Sequence, residues 1–442
     1  MPNDFRRSLT LPHATAIVAG IIIGASVFIQ PSEITRLVPN ARGIMFVWLA
    51  AGALTLCGAL VCAELAAAFP ETGGVYVFLK KTLSPALGFL WGWAMFWSIH
   101  SGIVAALAVI LARYSGYFIP LSEAGTRALA IAAVLILSLV NYLGVKPGGA
   151  VQLILTVAKL VAILGMVTLL FAFGRGSALA VFAPAAQPVS LIAYGQAIAA
   201  GLFAFGGWHM VTYAAGETQE ADRTIPRALL IGTFIVTATY MLLNVAYLSV
   251  LPLGEVATSP RVGAAAMERA LGVQAGGVMS ALVVLSAAGS LNGIILAGPR
   301  VYYAMAQDGF AFRWLAAVHP RRQTPYLAIA AQAVWSCVLV ITNSYRQLFT
   351  RVVYTEWIFF ALLAAGIFVL HRRAGYRPRV LIYGYAIVPV LLIVASAGIV
   401  IAQIYTYRRE SAFGLGLILL GLPVYFFVSH QPVKKAIADA SH

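Results

Sequence analysis

Charged residues are scarce in this 442-residue chain, in which Asp, Glu, Lys and Arg make up 10% of the residues and hydrophobic residues make up 61%. A water-soluble protein of this length needs much more polarity to cover its surface. The shortage excludes a soluble globular protein and indicates that lipid is the solvent for most of the chain.

Cysteines are few and catalytic motifs are missing. Cys57, Cys62 and Cys337 all fall within apolar runs, so the sequence offers neither a disulfide framework nor a metal-ligand spacing. It contains no phosphate-binding loop, no HExxH zinc motif and no serine with a partnered histidine and carboxylate. We therefore expect no catalytic residues, no metal and no cofactor, and the sequence does not predict an enzyme.

Acidic residues are about half as frequent as basic ones, 14 against 29, which gives a net charge of +15. The basic residues are scattered over short loops rather than gathered on one domain, which argues against nucleic acid as a partner. The charge instead indicates membrane topology and contact with anionic lipid in the bilayer.

Long hydrophobic runs account for most of the chain. A helix needs about 20 apolar residues to cross a bilayer. Runs of this kind cover residues 12–30, 44–69, 86–112, 126–144, 150–174, 191–215, 228–251, 274–305, 325–342, 352–370, 380–405 and 412–429. The pattern predicts an all-α polytopic membrane protein with twelve transmembrane helices. Within the polar insertion 251–277 we expect AAAMERAL to form a short helix on the outer face.

The lysine and arginine residues predict the orientation. An even number of spans places both termini on one side, and a cytoplasmic N-terminus gives 17 basic residues inside and 11 outside. The two strongest clusters, 313–322 and 372–379, both fall inside under this assignment. We therefore expect a multi-pass protein of the plasma (inner) membrane with both termini in the cytoplasm, and an uncleaved first helix.

Glycine interrupts the first and sixth spans, in GIIIGASVF and GLFAFGGWHMVTY. Such breaks at matching places in two halves are typical of the binding site of an inverted-repeat transporter, because unwound backbone exposes free N–H and C=O groups. The amides of Ala25, Ser26 and Val27 would suit a carboxylate. The carbonyls that would suit an ammonium group belong to Ile22, Phe203, Ala204 and Phe205. Alternatively, the small residues only allow close helix packing.

Two ionisable side chains lie within apolar runs, where each costs about 2.5 to 3.5 kcal/mol on insertion scales. Lys159, in the middle of the fifth span, can tie two helices together as a bound sodium ion does, or release a proton. The alternative is a purely structural cation. Its expected partners in the eighth span are Ser286, Ser290 and Asn292. Glu356 begins the tenth span, either as a functional carboxylate or as one that pairs with Arg351 or faces interfacial water.

Three further groups fall near these spans. His209, beside the second break, is either a proton site or a neutral hydrogen-bonding wall, and we favour the wall. We expect His100 to be a hydrogen-bonded packing histidine and Glu64 to brace a cytoplasmic loop.

Five stretches carry a resemblance to a known family: GIIIGASVFIQP, CAELAAAFPETGGVYVFLKK, VNYLGVKPGGAVQLILTVAKLVAI, GLFAFGGWHMVTYAAGETQEADRTIPRAL and LSAAGSLNGIILAGPRVYYAMAQDGFAFRWLAAVHPRRQTPYLAI. Together they resemble the amino acid, polyamine and organocation transporter superfamily, most closely the L-type amino acid transporter branch and its bacterial relatives. The resemblance implies two inverted five-helix repeats, at 1–174 and 175–371, then two helices and a cytoplasmic tail at 372–442. It also implies that the substrate lies between the broken first and sixth helices.

The resemblance also implies roles for individual residues. Gly24, Ala25 and Ser26 match the small-residue triplet, usually Gly-Ser-Gly, whose amides hold the carboxylate. Lys159 matches the fifth-helix lysine that replaces sodium in sodium-independent members. Phe203 matches the aromatic lid over the substrate. The paired glycines begin with Gly206, and the aromatic residue that follows them is Trp208.

Departures from the family pattern concern the far end of the pocket and the partner subunit. Ser26 replaces a glycine, His209 stands where close relatives often have Asn or Asp, and Glu356 stands where L-type members often have Asn. Human-type members bond a heavy chain through a cysteine in the loop after the third helix. The corresponding stretch, YFIPLSEAGTR, has no cysteine, so no disulfide-linked heavy chain is expected.

The function that the resemblance implies is sodium-independent amino acid transport by alternating access, through exchange (an antiporter) or proton coupling. An ionised Glu356 in the pocket would favour cationic amino acids. Neutral amino acids and polyamines are the alternative substrates. A sensor that binds amino acids without moving them is the rival from another class, and the lack of a sizeable cytoplasmic domain argues against it.

Overall fold

The fold is a bundle of helices. A computed structural model describes residues 9–71, 73–143, 149–174, 188–320, 322, 324–380 and 385–429. In this part of the chain every regular element is helical, and the one β contact is an isolated bridge between Leu9 and Thr218. The α-helices are α1 (Leu11–Ile22), α2 (Gln30–Leu37), α3 (Ala41–Ala68), α4 (Val75–Thr82), α5 (Pro85–Ala94), α6 (His100–Ser115), α7 (Glu123–Tyr142), α8 (Gly149–Phe173), α9 (Leu191–Ala204), α10 (Ala221–Val250), α11 (Leu253–Thr258), α12 (Val262–Leu271), α13 (Val273–Gln307), α14 (Tyr326–Thr342), α15 (Tyr345–His371), α16 (Ile387–Thr406), α17 (Arg408–Leu419) and α18 (Gly421–Ser429).

Most of the predicted spans correspond to long helices. In the described residues, nine helical stretches are long and apolar enough to cross a membrane: Ala41–Ala68, Pro85–Ser115, Glu123–Tyr142, Thr156–Phe173, Leu191–Tyr213, Ala221–Val250, Val273–Gln307, Tyr345–His371 and Ile387–Thr406. Three shorter apolar helices overlap the first, ninth and twelfth predicted spans: Leu11–Ile22, Tyr326–Thr342 and Gly414–Val428. A helical polytopic membrane protein is therefore confirmed, and the count of twelve spans stays a prediction.

Polar residues fix where several helices begin. The side chain of Asn40 accepts a hydrogen bond from the Gly43 amide at 2.7 Å, at the start of α3. Before α15, Ser344 and Gln347 form a reciprocal capping box. Each bond satisfies an amide that has no partner within its own helix.

The bundle has a buried centre and an apolar rim. In an 18-residue apolar window of Pro85–Ser115, 89% of the residues are buried, whereas only 17% are buried in the corresponding window of Glu123–Tyr142. On that outer helix Leu135, Ile136 and Leu139 are exposed, as expected of side chains that face acyl chains rather than water. In the centre α1 packs along α8 and α10, and α6 packs along α13. These central helices surround the candidate site.

Two local features depart from regular spans. Within the stretch Pro85–Ser115, residues Met95–Ile99 form a π-helical turn between α5 and α6. The polar insertion at 251–277 contains two helices, α11 and α12, and α12 confirms the short helix expected from AAAMERAL.

Candidate functional site

The first predicted span is broken in the middle. Helix α1 ends at Ile22, and a 3-10 turn at Ser26–Phe28 separates it from α2. The Gly24 amide turns back to donate to the Ile22 carbonyl at 2.6 Å. The sequence therefore located this break correctly.

The break leaves three amides unbonded. The N–H groups of Ala25, Ser26 and Val27 donate to no acceptor among the described residues, and all three residues are buried. A buried donor without a partner costs free energy. A group of such donors beside a helix end favours an anion.

The sixth predicted span is broken as well. Helix α9 ends at Ala204, and a 3-10 helix, Trp208–Glu217, follows. Gly207 between them has φ 93°, a left-handed conformation that favours glycine. A Cβ on Gly207 would also lie only 2.5 Å from Cγ2 of Ile21, so α1 leaves no room for a side chain.

One hydroxyl joins the two breaks. Tyr240 of α10 places its hydroxyl oxygen 2.8 Å from the Ile22 carbonyl and 3.1 Å from the Ala204 carbonyl. The two carbonyls are therefore close to one another. No local feature of the sequence predicts this contact, because Tyr240 lies 218 and 36 residues from its acceptors.

A closed cavity of about 20 Å³ lies between the breaks. This is space for about one water molecule, so an amino acid requires the cavity to widen. Five of the expected binding residues line it: Ile22, Gly24, Ser26, Phe203 and Gly206. Seven lining residues were not predicted: Ile21, Ile103, Leu107, Gly207, Met210, Ile294 and Val352. Seven predicted residues lie outside the lining: Ala25, Val27, Ala204, Phe205, Trp208, His209 and Glu356.

The side chains that follow the second break are oriented differently from the prediction, which placed Trp208 in the binding site. The Trp208 ring lies against α3, where a Cβ on Gly58 would be 2.7 Å from Cζ2. Met210 lines the cavity instead. In a 3-10 helix residues i and i+3 share a face. Gly207 and Met210 therefore lie together, a spacing that was available in the sequence.

His209 lies in an aromatic environment. Its ring is 5.6 Å from that of Trp91, 5.7 Å from Tyr213 and 5.4 Å from Phe360. Neither ring nitrogen has a hydrogen-bond partner among the described residues. The same holds for His100, so the expectation of a hydrogen-bonded packing histidine there is wrong.

Glu356 is buried and unpaired. Its Oε1 atom has no hydrogen-bond partner in the described part of the chain, and the side chain forms no ion pair there, so the expected alternative of pairing with Arg351 is not observed. Glu356 follows the cavity-lining Val352 by one turn of α15. Its carboxylate is thus near the cavity but does not line it.

Lys159 has one of its three expected partners. Its Nζ lies 3.1 Å from Oγ of Ser290 on α13. Asn292 instead accepts a hydrogen bond from Asn141 of α7 at 2.7 Å, and no bond joins Ser286 to Lys159. Oγ of Ser290 is also 3.6 Å from where a Cβ on Gly24 would be. Lys159 is therefore linked through one serine to the first break.

Polar contacts close the cavity on the face that carries α11 and α12. Glu33 of α2 accepts hydrogen bonds from Arg346 of α15 at 2.6 and 3.0 Å. Gln30 donates to the Tyr345 hydroxyl at 3.2 Å. The Tyr345 ring lies 6.3 Å from that of Phe203, which lines the cavity. These contacts tie the second half of the first span to the start of α15.

A second polar network lies on the opposite face, which carries α4. Nε2 of His371 lies 2.5 Å from Oε1 of Glu64, and the Tyr376 hydroxyl donates to the same oxygen at 3.1 Å. Burial, and then the neighbouring Glu64, raise the pKa of Tyr376, so the hydroxyl remains a donor. The expectation that Glu64 braces a loop is confirmed.

Asp308 ties α4 to the end of α13 on this face. Its carboxylate accepts hydrogen bonds from the Tyr76 hydroxyl at 2.5 Å and from Lys80 at 2.7 Å. Polar contacts therefore hold helices together on both faces of the bundle. Among the described residues, no three His, Cys, Asp or Glu side chains come together as metal ligands.

Several known proteins are similar in sequence to this chain over nearly its whole length. The profile of the amino acid permease family matches residues 9–428. The chain is 30% identical over 429 residues to the serine/threonine exchanger SteT of Bacillus subtilis, an alignment that covers 96% of this chain and 97% of the relative. It is 29% identical to the human large neutral amino acids transporter small subunit 2, over 98% of this chain and 83% of that protein. It is also 29% identical to the human b(0,+)-type amino acid transporter 1, over 98% and 92%.

Proposed function

Because the chain belongs to the amino acid permease family, we propose that it is a sodium-independent amino acid antiporter that works by alternating access. Family and relatives make it a membrane transporter rather than an enzyme. One observation carries the proposal: two helix breaks place amides that have no acceptor among the described residues, and two neighbouring carbonyls, beside one buried cavity.

In the proposed complex the substrate is bound through its backbone groups. Its carboxylate accepts hydrogen bonds from the amides of Ala25, Ser26 and Val27, which have no acceptor in the described residues. Its ammonium group replaces the Tyr240 hydroxyl as the donor to the carbonyls of Ile22 and Ala204, which lie within reach of that one hydroxyl and therefore of one ammonium group. This arrangement matches the opposite charges of a zwitterion and leaves the side chain to the rest of the cavity.

Lys159 is the proposed coupling residue. Its ammonium group holds α8 to α13 by donating to Ser290. The hydroxyl of Ser290 in turn lies next to Gly24 of the first break. A fixed cation at this position takes the place of a bound sodium ion. We therefore propose that transport does not require sodium. Loss of a proton from Lys159 is the second mode of coupling and would make the transporter proton-coupled.

Alternating access then consists of breaking one polar network at a time. Opening the α11–α12 face requires Glu33 to separate from Arg346. Opening the α4 face requires the contacts of Glu64 and Asp308 to separate. Either movement widens the central cavity, which holds about one water molecule when both faces are closed.

The membrane arrangement is part of the proposal. We propose twelve transmembrane helices, with inverted repeats at 1–174 and 175–371 and two helices and a tail at 372–442. From the basic loops we propose that the α4 face and both termini lie in the cytoplasm and that the α11–α12 face lies outside the inner membrane. We also propose that the chain needs no disulfide-linked heavy chain, because its three cysteines all lie in apolar helices.

The cavity lining favours a neutral side chain. Eight apolar side chains contribute to it: Ile21, Ile22, Ile103, Leu107, Phe203, Met210, Ile294 and Val352. The names of two relatives, the serine/threonine exchanger and the large neutral amino acids transporter small subunit, point the same way. A cationic substrate is the second candidate, and it is favoured by the unpaired carboxylate of Glu356 one turn beyond the lining.

Exchange in proteoliposomes tests the proposal. We would measure uptake of radiolabelled serine, leucine and arginine, without sodium, into vesicles loaded with unlabelled amino acids or left empty. We expect saturable uptake that internal amino acids stimulate several-fold. Uptake that needs sodium would contradict the lysine-based coupling. Binding of amino acids without any flux would identify the chain as a sensor and overturn the transporter.

A further inference from the structure

A second and larger cavity lies outside the central one. It has a volume of about 470 Å³ and opens on the α11–α12 face, between α2, the ends of α6 and α7 that meet there, and the segment joining α11 to α12. Ile29 lines it, and the Ile29 amide bonds to the carbonyl of Ser26 in the first break. We call this cavity the vestibule.

The vestibule carries excess positive charge. Its lining includes Arg36, Arg113 and Arg261 but only one carboxylate, that of Glu33. Both oxygens of Glu33 are already bonded, one to Arg36 at 3.3 Å and the other to Arg346 at 2.6 Å. The carboxylate is therefore not available to neutralise the other arginines.

In the described part of the chain, the Arg113 and Arg261 side chains have aromatic partners but no hydrogen-bond acceptors. The Arg113 guanidinium lies 5.1 Å from the centre of the Tyr345 ring, and that of Arg261 lies 5.2 Å from the Tyr117 ring. Among the described residues neither guanidinium donates a hydrogen bond to an oxygen. A ring under the face of a guanidinium orients it and leaves the N–H edges free to bind a carboxylate.

The vestibule also touches the wall of the central cavity. Tyr345, which lies under Arg113, bonds to Gln30 and packs against Phe203 of the central lining. Tyr345 and Phe203 therefore connect Arg113 of the vestibule to the lining of the central cavity. A solute held by Arg113 would lie on the α11–α12 side of this aromatic pair.

We propose that the vestibule is a carboxylate-binding site, in which Arg113 and Arg261 hold an amino acid by its carboxylate before the central cavity opens. Planar guanidinium groups match the two oxygens of a carboxylate, and charge-assisted bonds of this kind are the stronger ones. This role rests on the proposed transport function and adds a second, outer site to it.

Direct binding tests the site without any need for transport. Equilibrium dialysis of the purified protein would use radiolabelled succinate, which has carboxylates but no ammonium group for the central cavity. We expect saturable binding in the wild type and in the control Arg269→Gln, which removes an exposed arginine paired with Glu255 on the same face. We expect at least a tenfold weaker affinity in Arg113→Gln/Arg261→Gln. The charge-preserving Arg113→Lys/Arg261→Lys pair should lie in between.

Transport kinetics test the role of the site. We expect the double Gln variant to raise the external KM for exchange roughly tenfold and to keep Vmax near the wild-type value. It should also lose the rise of KM with ionic strength that a partly exposed basic site produces. The Arg269→Gln control should retain both properties.

Four results would overturn the proposal: no succinate binding, equal binding in the double variant, equal displacement of succinate by inorganic phosphate, or binding that appears only after anionic lipid is removed. The third would identify a general anion site and the fourth a lipid headgroup.

Succinate binding that the double variant loses, in a protein without any exchange activity, would support the carboxylate site and contradict the proposed transport function alone. A double variant that does not fold would be replaced by the Lys pair, whose unchanged affinity and KM would count against the bidentate geometry.

Discussion

Lys159, which is half-buried, and Glu356, which is buried, are ionisable residues of apolar helices, one in each half of the chain, and the fold surrounds them differently. Lys159 donates to Ser290 at 3.1 Å and so joins two helices beside the first break. Glu356 is 3% exposed, and its Oε1 has no partner in the described residues. A buried charge needs a partner. The protein supplies that partner for the lysine and leaves the carboxylate to a substrate, water or a proton.

This difference separates two roles. A cation bonded to a neighbouring helix transmits movement, because any shift of α13 changes its bond. A carboxylate without a fixed partner is free to respond to what enters the cavity. We therefore propose coupling as the role of Lys159 and recognition of the substrate side chain as the role of Glu356.

The largest expected effect is that of Lys159→Ala. Removing the ammonium group cuts the link from α8 through Ser290 to the first break, so we expect the exchange rate to fall by more than about 100-fold, or ~2.7 kcal/mol in barrier height. Substrate affinity should change much less, because the amides of the break remain. Initial exchange rates together with equilibrium binding check this. Full activity would make Lys159 a purely structural cation.

Glu356→Gln should have the next largest effect. If the carboxylate meets the substrate side chain, its loss should lower the ratio of arginine to leucine exchange by about tenfold. Competition between the two labelled amino acids measures this ratio. Glu255→Gln, which removes an exposed carboxylate of α11, is the matched control. An unchanged ratio would remove Glu356 from the substrate site and leave the apolar lining to determine preference.

Ser290→Ala tests the same hydrogen bond by removing its acceptor. It keeps the lysine charge but removes its partner, so we expect a three- to tenfold lower exchange rate, of the order of one hydrogen bond to a charged group. Ser286→Ala is the control on the same helix, since Ser286 makes no bond to Lys159. In a Lys159→Ala background the Ser290 change should add almost nothing. Additive losses would show that the two residues act separately.

The smallest effect is expected for Asn292→Ala. Asn292 bonds to Asn141 rather than to Lys159, so its loss should lower the free energy of unfolding by about 1 kcal/mol. Exchange should stay within threefold of the wild type. Thermal unfolding in detergent and exchange assays measure the two quantities. A loss as large as that of Ser290→Ala would mean that Lys159 uses both partners during the cycle.

The sequence predicted the breaks better than the side chains around them. Gly24 and Gly207 carry local information, because unwound backbone requires small residues, and both breaks were located correctly. Met210 was missed because the sequence alone did not indicate that a 3-10 helix follows the second break, in which residues three apart share a face. Tyr240 and the ion pair of Glu33 with Arg346 join residues more than 30 positions apart, and nothing in their local sequence indicates which partner the fold brings near.

The central claim is that unbonded backbone amides hold the carboxylate of an amino acid. The most direct test is competition for exchange, using the amino acid that the wild type exchanges best. Competitors would be the unlabelled amino acid, its decarboxylated amine and its N-acetyl derivative. We predict full inhibition by the first and at least a 100-fold weaker effect of the other two. Equal inhibition by the amine would show that the carboxylate is not bound and would contradict the account.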